Sequence, residues 1–160
     1  MSLFSGLFAR ATPVLSDASV RDAEAIAALH TASFRRGWDE QEVEGLLAER
    51  NVIGHRAMTG RAMGGFILSR MAADEAEILS VAVAKNQQGR GIARDLLTLH
   101  LRRLAGLGAR AVFLEVDQTN LSATKLYARA GFREVSRRAN YYNDGTGRTG
   151  TALVLRRDLI

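Results

Sequence analysis

The chain has 160 residues, 47% of them hydrophobic, which predicts a single domain large enough to bury a core. Its formal net charge is +5, but the basic residues are spread among acidic ones and no nucleic-acid-binding motif is present, so we expect no direct role on nucleic acid. Cysteine is absent, which excludes both a disulfide framework and an acyl group carried on an enzyme thiol.

Hydrophobic periodicity and turn residues predict alternating strands and helices along the whole chain. In chain order these are a strand at 14–16, a helix from Asp17 or Ser19 to about Phe34, a helix at 41–50, strands at 52–58, 62–71 and 77–84, a helix at 91–107, a strand at 111–116, a helix at 121–130, and strands at 133–139 and 149–156. The turn around Gly60 predicts a hairpin. Together these elements predict an α/β (α+β) fold, a mixed central sheet with helices on both faces.

Neither a membrane span nor a metal site is indicated. No apolar run reaches the roughly 18 residues that a membrane helix needs, so we expect a cytoplasmic protein that does not bind membranes. His30, His55 and His100 are scattered without metal-ligand spacing, so we expect no bound metal and ordinary surface or half-buried histidines. Residues 1–12 are expected to be an N-terminal extension of one domain that spans 1–160.

The stretch from Gln88 to Ala93 joins a predicted strand to a predicted helix through two glycines. The first backbone N–H groups of a helix have no internal partner and lie at its positive end, so phosphate binds there readily. A dinucleotide-binding G-x-G-x-x-G is excluded because position 94 is an arginine, and no mononucleotide P-loop sequence occurs. The loop therefore predicts a pyrophosphate site, with Arg90 and Arg94 adding positive charge, although an ordinary strand-to-helix turn is the structural alternative.

Two side chains associated with the helix at 121–130 are candidates for the same ligand. Asn120 is a good N-cap residue, which is also a purely structural explanation for it. Tyr127 lies seven residues further on, so both side chains point to about the same side, roughly 10 Å apart along the axis. That separation suits the pantetheine arm of CoA, with an amide-binding group at one end and a hydroxyl near the thiol.

Two motifs resemble the Gcn5-related N-acetyltransferase (GNAT) superfamily. The loop Q-x-x-G-x-A at 88–93 is similar to its pyrophosphate loop, and N-x-x-A-x-x-L-Y-x-x-x-G-F at 120–132 is similar to its fourth-helix motif. Within the superfamily, Leu114-Glu115-Val116 and the stretch at 137–142 resemble the ribosomal-protein-alanine N-acetyltransferases of the RimI type. One departure is Ala139, an added residue compared with the usual R-R-N-Y-Y, which would shift the aromatic pair that follows it.

The resemblance implies the GNAT acyl-CoA N-acyltransferase fold, acetyl-CoA as cosubstrate, and roles for individual residues. Glu115 is implied as the general base, acting through water, and Tyr127 as the general acid. The implied cofactor-binding residues are Val81, Ala82, Val83, Gln88, Gly89, Arg90, Gly91, Ile92, Ala93, Arg94 and Asn120. Trp38, Tyr141 and Tyr142 are candidates for the wall of the peptide site, although aromatic residues are as often part of a core.

The motifs of the sequence determine the acceptor substrate less closely than they determine the cosubstrate. The leading prediction is direct transfer of an acetyl group from acetyl-CoA to a protein N-terminal α-amino group, with the N-terminal alanine of a ribosomal protein as acceptor. The same motifs fit an acetyltransferase of small amines or antibiotics. A third alternative, from another class, is a non-catalytic module that binds acyl-CoA. The expected partners are therefore acetyl-CoA and a protein N-terminus.

Overall fold

The computed structural model describes residues 11–143 and 149–159, and the side chains of residues 140–143 and 149 are outside that description. The strands are β1 (Val14–Asp17), β2 (Val52–Thr59), β3 (Ala62–Ala72), β4 (Glu75–Val83), β5 (Ala111–Asp117), β6 (Arg133–Asn143) and β7 (Thr149–Asp158). The helices are α1 (Ala23–Ser33), α2 (Glu40–Ala48), α3 (Ile92–Gly106) and α4 (Leu121–Arg129). The order of elements agrees with the order predicted from the sequence.

The first helix begins later than predicted. A short 3-10 turn, Val20–Asp22, follows β1, and α1 starts only at Ala23. The backbone N–H of Ser19 donates to Oδ2 of Asp22 at 2.8 Å, which closes this turn. Ser19, one of the two predicted caps, therefore precedes the 3-10 turn rather than α1 itself.

The seven strands form one sheet in the order β1-β2-β3-β4-β5-β7-β6. Neighbouring strands pair antiparallel except β4 and β5, which pair parallel. Apolar residues of α1 and α2 pack on one face of the sheet, and apolar residues of α3 and α4 pack on the other. This is the mixed sheet with helices on both faces that the sequence predicts.

Each face of the sheet carries its own core. Under α1 and α2 the fully or nearly buried residues include Ile26, Val43, Phe66 and Leu68. Under α3 and α4 they include Ile67, Leu96, Leu97, Leu104, Val112 and Leu114. The alternation of Phe66, Ile67 and Leu68 between the two cores shows that β3 is central and buried on both sides. Among the described residues, no helix is long and apolar enough to cross a membrane.

The parallel strands β4 and β5 separate soon after they meet. Their pairing is limited to Glu75 with Ala111, Ala76 with Val112, and Glu77 with Phe113. Beyond these pairs β4 continues alongside β3 as far as Val83, and β5 continues alongside β7 as far as Asp117. The sheet is therefore open between the carboxyl halves of β4 and β5.

A bulge in β4 lies where the two strands separate. Leu68 of β3 pairs with Ser80, but the next residue of β3, Ser69, pairs with Ile78, so Leu79 is an extra residue on β4. An extra residue reverses which face the following side chains point to. Accordingly Ile78 belongs to the core under α3 and α4, whereas Ala82 belongs to the core under α1 and α2.

All three histidines are buried, with exposed fractions of 5% for His30, 3% for His55 and 0% for His100. The prediction that they are surface or half-buried residues is therefore wrong. Sequence alone did not reveal this because the partners of the histidines are brought to them by the fold. The Nδ1 atoms of His55 and His100 lie 2.7 Å apart, and Nδ1 of His30 accepts the N–H of Trp38 across the turn after α1. Buried polar side chains are tolerated when such hydrogen bonds are available.

Candidate active site

A cavity of about 1360 Å³ adjoins the place where β4 and β5 part. Its walls are formed by the end of β4, the loop before α3, and one side each of α3 and α4. Ser33 and Phe34, at the end of α1, also line it. Because α1 packs on the opposite face of the sheet from α3 and α4, the cavity reaches both faces. Its volume exceeds that of a typical pocket for a drug-sized ligand.

Most of the predicted cofactor-binding residues meet around this one cavity. Those that line it are Val81, Ala82, Val83, Gln88, Gly89, Gly91, Ile92, Ala93, Arg94 and Asn120. Their spread over a strand, a loop and two helices shows that the fold, rather than a single motif, assembles the site.

The loop between β4 and α3 turns its backbone toward the cavity. Gly89 and Gly91 have φ angles of +81° and +80°, in the left-handed region that favours glycine. Gly91 is the N-cap of α3, whose 15 residues begin immediately after it. Nε2 of Gln88 donates to the carbonyl of Val83 at 3.2 Å, which holds the loop against the end of β4. The result is a helix N-terminus at the cavity, the arrangement that binds anions.

The two arginines of this loop point in different directions. Arg94 lines the cavity and its side chain is 76% exposed. Arg90 instead donates to Oε1 of Gln87 at 2.6 Å and to the carbonyl of Ala11 at 2.9 Å. It is not among the described residues that line the cavity. A cofactor-binding role for Arg90 therefore stays a prediction, and its guanidinium links the loop to the N-terminal segment.

Asn120 and Tyr127 both line the cavity from α4. Oδ1 of Asn120 accepts a hydrogen bond from the N–H of Ala123 at 3.1 Å, so Asn120 is the N-cap that the sequence predicts. The ring of Tyr127 packs edge-on against Phe132, with the ring centroids 5.5 Å apart. Burial raises the pKa of Tyr127 to about 12. Its hydroxyl is therefore protonated throughout the neutral range and can act as a donor.

Glu115 lies on β5, beyond the last residue that pairs with β4. Its neighbours Leu114 and Val116 belong to the core under α3 and α4. Successive side chains of a strand alternate, so Glu115 is directed to the face on which α1 packs. Its Oε1 lies 3.3 Å from Nη1 of Arg138, and its side chain is 29% exposed. Glu115 is not among the described residues that line the cavity, and its role as general base stays a prediction.

The three aromatic residues predicted for the substrate side have different positions. Trp38 does not line the main cavity; it stacks on His30 and borders a second groove of about 470 Å³ beside α2. Tyr141 and Tyr142 are on β6, but their side chains lie outside the described residues. The added residue Ala139 falls within a register irregularity between Arg138 and Tyr142. The substrate roles of the three aromatic residues stay predictions.

A family profile described as the acetyltransferase (GNAT) family matches residues 18–132. The chain belongs to this family. The acetyltransferase class predicted from the sequence is thereby confirmed. The matched range contains the predicted phosphate loop (residues 88–93), Glu115 and the whole of α4.

Relatives of this GNAT protein share much of its length. The [ribosomal protein bS18]-alanine N-acetyltransferase of Escherichia coli (strain K12) is 32% identical over 111 residues, 69% of this chain and 74% of that protein. The protein of the same name from Haemophilus ducreyi is 34% identical over 90 residues, 56% of this chain and 62% of that protein. The match thus spans slightly less than two thirds of the latter relative.

A solved structure confirms the fold of this GNAT chain. The crystal structure of the ribosomal-protein-S18-alanine N-acetyltransferase from Escherichia coli superposes with a TM-score of 0.86, covering 92% of this chain and 94% of that one. The sequence identity of that pair is 24%, so the comparison bears on the fold alone.

The GNAT cavity also contains cationic residues that the sequence interpretation did not select. Arg102 on α3 and Lys125 and Arg129 on α4 line it. Within the described residues none of the three forms an ion pair. The sequence could have indicated Arg102, because the four-residue spacing of Arg94, Thr98 and Arg102 puts them on one side of a helix. No such signal existed for Phe34, whose position depends on how α1 packs.

Proposed function

We propose that this acetyltransferase moves the acetyl group of acetyl-CoA to the N-terminal α-amino group of a protein, and that the N-terminal alanine of a ribosomal protein is its acceptor. The observation that carries the proposal is a cavity that reaches both faces of the sheet. In this proposal the phosphate loop and the cationic sides of α3 and α4 bind the cosubstrate. The amine binds near the end of α1, on the face of the sheet to which Glu115 is directed. The names of the relatives support the choice of acceptor.

The cosubstrate would extend along the open edge of β4. Its pyrophosphate would bind the N–H groups at the start of α3, and Arg94 with the cations of α4 would neutralise its phosphates. Backbone groups of Val81 and Val83 have no pairing with β5. In the proposed complex these groups would bond the pantetheine amides and donate to the oxyanion of a tetrahedral intermediate.

The proposed reaction is direct acyl transfer. The neutral amine attacks the thioester carbon, a C–N bond forms, and the C–S bond breaks as the intermediate collapses. One proton of the amine passes through water to Glu115, and the departing thiolate takes a proton from Tyr127. The products are an N-acetylated chain and CoA with its thiol protonated. A peptide α-amino group has an ordinary pKa of about 7.7 to 8.0, so only a weak base is required.

The positions of Glu115 and Tyr127 support this division of labour. Tyr127 belongs to the core under α3 and α4, the side of the phosphate loop, whereas Glu115 is directed to the other face. An acid on the thiol side and a base on the amine side match the two proton transfers. Burial raises the pKa of Tyr127 to about 12, so at neutral pH it is in the protonated form that a general acid requires.

Substitution of the two groups tests the chemistry. We expect Tyr127→Phe and Glu115→Gln each to lower kcat by a factor of about 10² to 10⁴ in steady-state assays of CoA release, with the acetyl-CoA dissociation constant little changed. Glu77→Gln, which replaces an exposed carboxylate of β4, is the matched control and should leave kcat unchanged. Wild-type rates in both Tyr127→Phe and Glu115→Gln would contradict their roles as general acid and general base.

Arg138→Gln separates a catalytic Glu115 from a structural one. If Glu115 served only to pair with Arg138, removing the arginine would reproduce the kinetic defect of Glu115→Gln. If Glu115 is the base, Arg138→Gln should retain most of kcat, because the carboxylate that accepts the proton is still present. Equal defects in the two variants would support the structural role.

The acceptor is tested by intact-mass analysis of peptides incubated with acetyl-CoA. A peptide beginning Ala-Arg should gain one acetyl group, whereas a copy with a blocked N-terminus but an internal lysine should gain none. Acetylation of a polyamine or an aminoglycoside in preference to the peptide would favour the small-amine alternative. CoA binding without transfer to any amine would indicate a non-catalytic module.

A further inference from the structure

The turn between α1 and α2, residues 34–39, is folded back onto α1. The backbone N–H of Trp38 donates to Nδ1 of His30 at 3.0 Å. The indole of Trp38 also lies nearly parallel to the imidazole, with ring centroids 4.0 Å apart and planes inclined by 10°. Because Nδ1 is the acceptor, the neutral ring carries its proton on Nε2. His30 therefore holds the turn through both a hydrogen bond and a ring contact.

Close packing between the turn and α1 reinforces this contact. A Cβ on Gly37 would overlap the side chain and Cα of Thr31, so only glycine fits there. His30 itself is 5% exposed, and burial lowers its pKa below the ordinary value. Its ring consequently remains neutral at physiological pH and keeps Nδ1 free to accept. The contact persists under the conditions in which the enzyme would act.

His30 touches a cavity residue on its other side. The ring of Phe34 lies 4.4 Å from the imidazole, centroid to centroid, and Phe66 is centred 6.4 Å away beneath it. Phe34 lines the main cavity, as does Ser33, and these two residues are its contribution from α1. The imidazole of His30 thus contacts Trp38 of the turn on one side and Phe34 on the other. Phe34 lies in the part of the cavity that we propose binds the acceptor.

We propose that His30 is a positioning residue for the acceptor: by binding the Trp38 N–H it fixes the turn so that Phe34 forms the wall against which the acceptor's first residue packs. The inference rests on the proposed division of the cavity between cosubstrate and amine. Trp38 then acts on the acceptor from outside the cavity, through His30 and Phe34. Loss of the contact should weaken acceptor binding and leave acetyl-CoA binding intact.

Two variants of His30 separate its hydrogen bond with Trp38 from its ring contacts. His30→Phe keeps an aromatic ring for Trp38 and Phe34 but removes the hydrogen-bond acceptor. His30→Asn places an amide oxygen close to the position of Nδ1 but removes the ring. We expect His30→Phe to raise the acceptor KM about 3- to 10-fold, with the acetyl-CoA KM changed by less than about twofold. His30→Asn should recover most of the acceptor KM.

A measurement independent of turnover follows the hydrogen bond itself. The chain contains one tryptophan, so ¹⁵N-tryptophan labelling gives a single backbone amide signal, that of Trp38. Its hydrogen exchange should be at least about tenfold faster in His30→Phe than in the wild type, and slow again in His30→Asn. Phe34→Leu, the control for the wall, should raise the acceptor KM without changing this exchange rate.

The outcomes separate this inference from the proposed function. The kinetics use whichever amine the wild type acetylates, so the absence of peptide acetylation overturns the proposed acceptor but leaves the role of His30 measurable. Unchanged Trp38 exchange in His30→Phe would overturn the contact. Faster exchange with an unchanged acceptor KM, or an equal rise in both KM values, would overturn the positioning role.

Discussion

Gly89 and Gly91 have nearly the same left-handed backbone, yet their surroundings differ. A Cβ on Gly91 would lie 3.1 Å from the Nη2 atom of Arg94, whereas a Cβ on Gly89 would meet nothing within 4 Å. Gly91 is thus restricted by both its backbone angle and a neighbouring side chain. At Gly89 the protein itself leaves space, and in the proposed complex that space belongs to the pyrophosphate.

Gly89→Ala should therefore affect binding more than stability. We expect a loss of about 1–2 kcal/mol of unfolding free energy from backbone strain, and acetyl-CoA affinity lowered about tenfold or more because the methyl group enters the phosphate site. Gly108→Ala is the control, since Gly108 also has a positive φ, +98°, with nothing within 4 Å of a Cβ, and lies beyond the other end of α3. Urea unfolding and calorimetric titration with acetyl-CoA measure both effects. Equal loss of affinity in the two variants would contradict the prediction.

At the scale of one element, α4 combines a structural cap and a cavity residue in Asn120. Asn120→Ser keeps a good N-cap but removes the side-chain amide, so we expect unfolding free energy to change by less than about 1 kcal/mol. Acetyl-CoA affinity should fall about 3- to 10-fold, because the amide that we propose as a donor to the pantetheine is lost. Asp39→Ser at the cap of α2, where Asp39 accepts the N–H of Glu42 at 2.8 Å, should leave acetyl-CoA affinity unchanged. If both variants bind acetyl-CoA as the wild type does, Asn120 is only a cap.

The elements could be predicted from the sequence because their signals are local. Periodicity located the helices and strands, and Gly131, with φ +89°, ends α4 as predicted. The open edge of β4 and the bulge at Leu79 could not be predicted, since both depend on pairing with strands elsewhere in the chain. The same holds for the Glu115–Arg138 ion pair and for the orientation of Arg90 toward Ala11. Motif resemblance selected residues most of which line one cavity, but the directions of their side chains required the fold.

At the scale of the whole molecule, a chain of polar side chains, buried except at Asp17, joins four elements. Nε2 of His55 lies 3.3 Å from Oδ1 of Asp17, the two histidine Nδ1 atoms are 2.7 Å apart, and Nε2 of His100 lies 2.6 Å from Oγ of Ser69. Two neutral imidazoles satisfy every link: His55 donates to Asp17, His100 donates to His55, and Ser69 donates to His100. A proton added to both rings would place two donors face to face.

Stability should consequently decline in mild acid. Burial lowers the pKa of His55, where Asp17 opposes and Arg103 adds to the shift, and burial with the neighbouring His55 lowers that of His100 to about 3. The unfolded chain takes up protons below about pH 6.5 while the folded chain does not. Both histidines therefore contribute their full stability above about pH 6.5 and lose it as the pH falls. For His100 the loss is up to about 1.4 kcal/mol per pH unit and continues to about pH 3.

Urea unfolding at pH 7.5, 6.5 and 5.5 measures this slope. His100→Gln keeps polar atoms in the core but cannot titrate, so its stability should fall less steeply than that of the wild type between pH 6.5 and 5.5. Only the slopes are compared, since the substitution also changes packing. Identical slopes would show that His100 is not linked to acid sensitivity.

The separation of β4 from β5 divides the sheet into two unequal leaves. The first half of the chain supplies one leaf, β1 to β4, and the second half supplies the other, β5 to β7. In the part of the chain that the structure describes, the strands of the two leaves pair only where Glu75–Glu77 meets Ala111–Phe113, at one end of the opening. A ligand that bonds to both leaves would bind the folded state alone. At a concentration one hundred times its dissociation constant it would add about 2.7 kcal/mol to the free energy of unfolding. The melting temperature would then report how fully the site is occupied.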